Sequence, residues 1–436
     1  LDDEIRQAVA IQAHASDKER LLIEALARRY SKDAGADRAA LDQAYAAAMV
    51  EVQRRYPDDV EIAVLTAEAL MDLSPWDYWD AGGNPKGRTA EILTLLDRAL
   101  QLDPRHTGAL HFRIHMTEAS GDPERAVPHA DRLGGLAPGA GHLVHMPSHI
   151  YYRVGRYLDS LRANKAAVAA DERHLRENGA DPFYRHAYYP HNIHFLMVSA
   201  QMAGDGPTAI DAAGKLDATL SDEVVRKVPW TQPIKAAPYF VHAQFSELET
   251  VLALPDPGTR FPYVTALWHY ARGSAHAAQG HVFAAQNEIA AIERLSRRSD
   301  FDDLEKGGVP ARDVLAIAVQ VIRGRIAQAK NDQGAAIEAF TAAVALEDKL
   351  AYMEPPFWYY PVRQSLGAAL AAAGQTDRAE AVFRESLQRS PNNGWALFGL
   401  AAVFERRGDR KAAEAFHARL DRTWAGDRAL LRLDRL

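Results

Sequence analysis

The sequence predicts an all-α fold, a right-handed solenoid of helical hairpins that runs from residue 1 to residue 436 as one continuous array. Three observations predict it. Apolar residues recur at spacings of three and four, which is the period of one helix face. The alternation that is typical of strands is nearly absent. Glycine or proline interrupts the chain at short intervals, as expected of helix–turn–helix units.

The clearest repeat lies near the C-terminus. Three pairs of residues are each 34 positions apart: Leu366 and Leu400, Gly374 and Gly408, and Ala379 and Ala413. In each copy an apolar helix is followed by a glycine turn and a second helix, with small residues where the two helices must approach. This segment resembles the tetratricopeptide repeat (TPR), whose period is 34 residues. The most regular repeats are predicted within 357–422, and the rest of the chain reads as less regular units of the same kind.

The N-terminal half is predicted to form a series of helices. The predicted segments are 17–30, 37–56, 59–73, 89–102, 106–119, 123–133, 155–172 and 190–203. Asp58 or Asp59 is the expected cap of the third. Later connections are long and rich in proline and aromatic residues, above all Met353–Pro361. Such loops form functional walls or pack between repeats, and the sequence favours neither reading.

Composition and charge exclude several classes of protein. Hydrophobic residues make up 47% and charged residues 25% of the chain, as in water-soluble globular proteins. The net charge of −7, with acids and bases interspersed, argues against a nucleic-acid partner. No apolar run reaches the roughly 18 residues of a membrane helix. Cysteine is absent, which excludes disulfides and thiolate metal sites. We expect a cytoplasmic or periplasmic location, because an export signal could have been removed before Leu1.

Histidine is concentrated in the segment 106–194, which holds 11 of the 17 histidines in the chain. Three clusters each supply at least two imidazoles. The clusters are His111, His115 and Glu118; then His142, His145 and His149; then His191 and His194. Members of the first cluster are at positions i, i+4 and i+7, which share one helix face.

A proline accompanies each of the other two clusters. Pro147 is expected to open a helix, with His149 in its first turn and His145 just outside it. Met146 precedes this proline and is expected to leave the helical region. Pro190 is expected to open a second helix ahead of His191. In both places a proline fixes the backbone where an imidazole is presented, and such rigidity suits a metal or catalytic site.

We therefore predict a transition-metal site in this segment. Its ligands are predicted among His111, His115, His142, His145, His149, His191 and His194. A shared cation satisfies several ring nitrogens that are costly to bury without partners. His106, His129, His174 and His186 are instead expected to be solvated or capping residues, and His242 and His269 are weaker candidates.

The run Gly139–Tyr151, together with Ile114–Ser120 and Tyr189–Asn192, resembles a family of bacterial TPR-containing proteins that share a His-Met-Pro-Ser-His-Ile signature. The resemblance spans roughly residues 35–255. It implies that the histidine clusters are a family feature, and it implies no particular activity or substrate.

Two enzymatic interpretations follow from the ligand types. An all-imidazole site of copper type, with one ion or a pair, favours an oxidase or oxygenase that acts on a small molecule or peptide. Glu118, Tyr152 and Tyr189 are then the predicted catalytic residues. In the alternative, one zinc or iron ion is held by three ligands and activates water for hydrolysis. We favour copper, because imidazoles outnumber carboxylates.

A third interpretation involves no catalysis. Repeat solenoids commonly bind a protein partner in their concave groove. Trp76, Tyr78 and Trp79 would then act with the histidines as recognition residues. Two familiar motifs are excluded: Phe112 replaces the glutamate of the zinc-protease pattern, and the loop 82–89 lacks the lysine and the preceding strand of a phosphate loop.

Overall fold

The computed structural model describes residues 2–33, 35–80, 82–179 and 183–436. These residues form helices and connecting turns and no strand, and one isolated bridge joins Trp79 to Pro85. The all-α prediction is therefore confirmed. The chain divides into two compact units, residues 1–138 (unit 1) and 139–436 (unit 2). That the repeats form one continuous array stays a prediction. The division falls inside the segment 106–194, so that its first cluster lies in unit 1 and the other two lie in unit 2.

Unit 1 consists of helices that pack in sequence on their neighbours. Its α-helices are α1 (Asp2–Ile11), α2 (Asp17–Ala27), α3 (Arg38–Arg55), α4 (Val60–Met71), α5 (Thr89–Leu102), α6 (Thr107–Glu118) and α7 (Val127–Leu133), with 3₁₀ turns at Gln12–His14 and Pro123–Ala126. The side chain of Asp59 accepts a hydrogen bond from the backbone N–H of Ile62, which confirms it as the cap of α4. His106 caps α6 by accepting from the N–H of Ala109, as predicted.

Unit 2 contains the segment 357–422, in which the most regular repeats are predicted. Its α-helices are α8 (Gly141–His145), α9 (Pro147–Arg153), α10 (Tyr157–Glu177), α11 (Tyr189–Ala203), α12 (Gly206–Thr219), α13 (Asp222–Lys227), α14 (Gln232–Phe245), α15 (Leu248–Leu252), α16 (Pro262–Ala278), α17 (Val282–Arg298), α18 (Asp302–Lys306), α19 (Ala311–Ala329), α20 (Gln333–Glu347), α21 (Val362–Ala372), α22 (Thr376–Arg389), α23 (Gly394–Arg406) and α24 (Arg410–Thr423). A π-helical turn, Tyr184–Tyr188, precedes α11, and 3₁₀ turns lie at Pro229–Thr231 and Arg428–Leu430.

Consecutive long helices of unit 2 pack on one another from α10 to α24, which makes this unit a solenoid of helical hairpins. Close approach explains the small residues of the repeat. The ring of Phe383 on α22 lies against Gly367 on α21 and Gly399 on α23, and a Cβ atom at either glycine would overlap this ring. Glycine is therefore required at both positions by packing between neighbouring helices.

The two ends of unit 2 are in contact. The backbone N–H of Ala425 donates to the carbonyl of Ala203 at 2.8 Å, and the amide of Asn392 donates to the carbonyl of Gly155 at 3.3 Å. These contacts bring residues that are distant in sequence into one core within unit 2. The connection from α20 to α21 lies there, since Tyr359 is 2% exposed and its ring is 4.7 Å from that of Phe240.

One local prediction is wrong. Met146 has φ −49° and ψ −38°, which is helical, although the following proline was expected to exclude that conformation. Its N–H donates to the carbonyl of His142, and its own carbonyl accepts from the N–H of His149. Burial of the Met146 side chain and these two bonds outweigh the unfavourable contact with Pro147. Helices α8 and α9 therefore follow one another with almost no break. As predicted, α9 begins at Pro147 with His149 in its first turn, and His145 lies just before it, at the end of α8.

In the part of the chain that the structure describes, every helix is too short or too polar to cross a lipid bilayer.

Candidate metal centre

Three imidazoles of unit 2 converge on one point. His145 and His149 lie on the same face of the nearly continuous α8–α9 segment, because residues four apart are neighbours on a helix. Nε2 of His145 is 2.7 Å from Nε2 of His149, and Nε2 of His191, in the first turn of α11, is 3.4 Å from Nε2 of His149. Their ligand atoms all lie within 4.8 Å of one another. The structure thus brings together three of the seven predicted ligands in a single group.

An aromatic ring supports all three imidazoles. Phe195, one turn after His191 on α11, has its ring centroid 4.8 Å from that of His145, 4.4 Å from that of His149 and 5.1 Å from that of His191. The side chain of Phe195 is 2% exposed. A rigid apolar support of this kind limits ring motion and excludes water from one side of the group.

The second nitrogen of His145 is held by an amide. Nδ1 of His145 lies 2.7 Å from Oδ1 of Asn164 on α10. The orientation of this amide is fixed, because its Nδ2 donates to the carbonyl of Ser160 at 2.9 Å. Oδ1 of Asn164 must therefore accept, and Nδ1 of His145 must carry the hydrogen.

The second nitrogen of His149 faces a carboxylate. Nδ1 of His149 is 2.7 Å from Oε2 of Glu354, whose side chain is only 8% exposed. Glu354 belongs to the proline- and aromatic-rich connection Met353–Pro361, which the sequence identified as a functional wall or as packing. As a carboxylate it accepts the hydrogen of Nδ1, which directs the Nε2 lone pair of His149 toward the other two rings.

A buried aspartate connects the helices that carry these histidines. The carboxylate of Asp171 on α10 accepts from the hydroxyl of Tyr184 at 2.5 Å and from Nδ2 of Asn192 at 2.7 Å. It also lies directly against Gly141, the first residue of α8, where a Cβ atom would overlap it. Burial raises the pKa of Asp171 from its usual value. The sequence did not predict Asp171, Asn164 or Glu354 as site residues. Asp171 and Asn164 are ordinary polar residues within the amphipathic pattern of α10. Glu354 is 205 residues away from His149 in the chain.

Burial disfavours the charged forms of the histidines. Loss of solvent lowers the pKa of His145 and of His191 well below the usual value, and neighbouring imidazoles lower it further. Neutral imidazole is the form that coordinates metals, so burial favours the metal-binding form of these two rings.

Two further predicted ligands of unit 2 lie beside this group. The ring of His142 is 5.9 Å from that of His145 and 4.8 Å from that of Tyr188. His194 is directed elsewhere, because its Nε2 is 2.9 Å from the hydroxyl of Tyr359. Burial lowers the pKa of His194 to about 3, which keeps its ring neutral. His142 is thus a neighbour of the group, and His194 contacts a tyrosine.

The predicted tyrosines differ in position. Tyr152 lies on α9 with its ring 6.2 Å from that of Phe195, and burial raises its pKa. The hydroxyl of Tyr189 is engaged with a different residue, because it donates to Glu172 at 3.2 Å. Burial raises the pKa of Tyr189 to about 12. Both side chains are therefore protonated phenols at neutral pH.

The first cluster is in unit 1, on α6. The rings of His111 and His115 are 4.8 Å apart, and Nδ1 of His115 is 2.8 Å from Oε1 of Glu118. The predicted stripe along one helix face is therefore present. That these three residues contribute to the metal site stays a prediction.

The remaining histidines occupy other surroundings. His242 pairs with Ser246 at 2.8 Å, and His269 pairs with Glu288. These two weaker ligand candidates are thus engaged with neighbours on their own helices or hairpins.

Two of the predicted recognition residues lie in unit 1. Trp76 is 68% exposed, and the indole N–H of Trp79 donates to the carbonyl of Met116.

A cavity of about 250 Å³ adjoins the three-histidine group. His149, Tyr152 and Phe195 form part of its wall, and the connection between α20 and α21 forms the rest through Glu354 and the aromatic residues that follow it. Arg153 also borders this cavity, with its guanidinium over the ring of Tyr352. Space for a small ligand is therefore present next to His149.

Residues 370–433 match the tetratricopeptide repeat family. This confirms the predicted repeat for the C-terminal segment. The bacterial origin and the His-Met-Pro-Ser-His-Ile signature stay expectations. No relative was found among curated proteins.

Several solved structures are similar to this chain at low identity. Yeast Tom70 is 13% identical over 94% of this chain and 94% of its own, with a TM-score of 0.37. A human IFIT1 dimer with m7Gppp-AAAA is 11% identical over 97% of this chain and 86% of its own, with a TM-score of 0.36. The APC/C hetero-tetramer Cut9–Hcn1 is 12% identical over 99% of this chain and 98% of its own, with a TM-score of 0.31. Similarity at this level carries no inference about ligands.

Proposed function

We propose that unit 2 is a metal-dependent enzyme whose centre is a single transition-metal ion held by His145, His149 and His191. The observation that carries this proposal is the 2.7 Å separation of two Nε2 atoms whose Nδ1 partners are both hydrogen-bond acceptors. With a hydrogen on each Nδ1, both Nε2 atoms present lone pairs to each other. Such an arrangement is repulsive unless a cation lies between the lone pairs.

A proton is a poor candidate for that cation. It would join only His145 and His149, and it would place a charge beside the buried ring of His145, whose charged form burial disfavours. A divalent metal ion shared by three imidazoles distributes its charge over several donors. The carboxylate of Glu354 behind His149 adds a compensating negative charge in the position that commonly supports a metal-bound histidine.

The spacing of the nitrogens fits a tetrahedral ion. Metal–nitrogen bonds of about 2.0–2.1 Å place tetrahedral ligands about 3.3–3.4 Å apart. Nε2 of His149 and Nε2 of His191 already have this separation, at 3.4 Å. The rings of His145 and His149 would need to separate by about 0.6 Å on metal binding, a small rotation about the side-chain torsions.

Three protein ligands leave a fourth position for water or substrate. An ion bound here would supply Lewis acidity and lower the pKa of a bound water. The cavity beside His149 would hold the substrate, and Tyr152, which stays protonated, would donate a hydrogen bond to it. These features favour the mononuclear, hydrolytic interpretation over the copper oxidase that the ligand count first favoured. The reason is that unit 2 by itself supplies one three-imidazole set.

A non-catalytic scaffold is the second candidate. The repeat family match at 370–433 favours it, because such repeats commonly bind protein partners. The two candidates differ in metal content, which can be measured without knowing a substrate.

The test is elemental analysis of the purified chain, together with the His149→Ala and His191→Ala variants. We expect about one transition-metal ion per chain and its loss in both variants. His417→Ala is the matched control, because this residue forms a surface pair with Glu405. Protein that copurifies without metal, and whose melting temperature does not respond to zinc, copper or iron, would leave only the scaffold.

A further inference from the structure

Unit 2 has a second and larger cavity, of about 540 Å³, away from the three histidines. Residues of α14, α16, α19, α21 and α23 line it, together with the segment 432–435. Its volume is within the range of small-molecule sites, which is about 300–1,000 Å³. Unlike the cavity beside His149, it contains no predicted metal ligand.

A guanidinium group within this cavity has no acidic partner. Arg325 on α19 donates to the hydroxyl of Tyr360 at 3.4 Å, and no carboxylate forms an ion pair with it among the residues that the structure describes. Asp434 also lines the cavity, but it accepts from Nε of Arg432 at 2.9 Å. Arg325 therefore has no hydrogen-bonded carboxylate, and Asp434 acts on it only as a more distant negative charge.

Two other arginines of unit 2, Arg363 and Arg272, are paired with carboxylates. Arg363 donates to both carboxylate oxygens of Asp348, at 2.7 and 2.6 Å, and Arg272 donates to Glu288 at 2.9 Å. Arg325 is half-buried and lacks such a pair, so its guanidinium is available to an anion that enters the cavity from outside the chain.

A second unsatisfied donor lines the same cavity. Trp395 on α23 is 3% exposed, and its indole N–H has no hydrogen-bond acceptor among the described residues. An indole nitrogen can only donate, so this group needs an acceptor atom. Buried donors without acceptors cost about 1–3 kcal/mol, and a ligand oxygen would remove that cost.

We infer that this cavity binds a small organic oxyanion, a carboxylate or a phosphate monoester. Arg325 would hold the anionic group, and Trp395 would donate to one of its oxygens. The aromatic rings of Tyr270 and Tyr360 line the same space and fit a ligand whose remaining part is a planar or apolar body. This inference is independent of the metal centre, since no residue of one site belongs to the other.

Calorimetric titration of the full chain at constant ionic strength tests the inference. The probes are benzoate and acetate for carboxylates, phenyl phosphate and inorganic phosphate for phosphates, and chloride as the non-specific control. We expect saturable binding of benzoate or phenyl phosphate. The stronger of these two identifies the anionic group, and acetate or phosphate alone should bind more weakly.

Two variants test the assigned residues. Arg325→Met removes the charge at similar volume and should weaken binding at least tenfold. Trp395→Phe removes the N–H and should weaken it about tenfold, as expected for loss of a charge-assisted bond. Arg323→Met is the control, because Arg323 lies on the same helix but is exposed and paired with Glu293.

Thermal unfolding separates a ligand-binding role from a structural one. Without ligand, Arg325→Met should melt at or above the temperature of the unaltered chain, because it removes a half-buried charge that has no hydrogen-bonded carboxylate. Absence of binding for every oxyanion at millimolar concentration would overturn the inference. Undiminished binding in Arg325→Met would do so as well, and a variant that melts much lower without ligand would show that the arginine is structural.

Discussion

Nε2 of His145 lies 2.7 Å from Nε2 of His149. In each ring, Nδ1 donates a hydrogen bond to a side-chain oxygen of another residue. Asn164 holds one ring, and Glu354 holds the other. Each oxygen fixes a tautomer, and the two tautomers together turn a pair of lone pairs toward each other. A hydrogen bond between the rings would need a charged imidazole beside the buried ring of His145, whose charged form burial disfavours. The arrangement is therefore better explained as the ligand set of a cation.

Asn164→Ala should weaken metal binding without unfolding the chain. The variant removes the acceptor that orients His145, and loss of such a partner typically costs 10–100-fold in metal affinity. The measurement is competition with a chromogenic chelator. Asn178→Ala is the matched control, because Asn178 is also near α10 and bonds a histidine, His174, that lies outside the group. Equal affinities in the two variants would contradict the role given to Asn164.

Glu354→Gln should also weaken metal binding by about 10–100-fold, because a neutral amide supports the basicity of His149 less well than a carboxylate. Chelator competition again measures it. The surface pair of Glu405 and His417 provides the control through Glu405→Gln. If Glu354→Gln binds metal as tightly as the unaltered chain, the contact between Glu354 and His149 serves loop packing alone.

Gly141→Ala should destabilise unit 2 by about 1–3 kcal/mol, the usual cost of inserting a methyl group into packed surroundings. The added Cβ would overlap the carboxylate of Asp171, which also bonds Tyr184 and Asn192. Because α8 carries His145, metal occupancy should fall in the same variant. Urea unfolding and metal content measure the two effects. Gly139→Ala is the control, since nothing lies within 4 Å of a Cβ atom there.

Glu347 should make the stability of the chain depend on pH. Burial raises the pKa of this carboxyl from 4.5 to about 8. The folded chain keeps the proton where the unfolded chain has lost it, so the free energy of unfolding falls as pH rises from about 4.5 to about 8. Glu347→Gln removes this dependence, so its stability relative to the unaltered chain should rise over that window. We expect a rise of about 1–2 kcal/mol, less than full burial would give, because the side chain is half-buried and solvent screens its charge.

Thermal or urea unfolding at pH 5 and pH 8 measures the difference between Glu347→Gln and the unaltered chain. Glu414→Gln, at an exposed position of α24, is the control. A difference that is the same at both pH values would show that Glu347 does not keep its proton in the folded chain.

The secondary structure could be predicted from local signals. The helix that was expected at 89–102 is observed as Thr89–Leu102, and Asp59 caps the helix that was expected to follow it. Helical periodicity and capping act over a few residues, and both are visible in a single sequence. Met146 shows the limit, because burial and tertiary packing overrode the local effect of the following proline.

The candidate site was only partly predictable. The helical spacing predicted His145, His149 and His191 as metal ligands. It predicted His194 equally, so the sequence alone did not distinguish His191 from His194. The two differ because Tyr359 reaches the second of them from a connection 165 residues away. Glu354 and Asn164 depend in the same way on how the solenoid of unit 2 returns on itself, which no local pattern records.

Anomalous scattering from crystals of the purified chain, collected at the absorption edge of the metal that copurifies, tests the central claim most directly. We predict one anomalous peak in unit 2 at about 2.0–2.2 Å from Nε2 of His145, His149 and His191. A difference map without a peak there, or with the metal held by other residues, would contradict it.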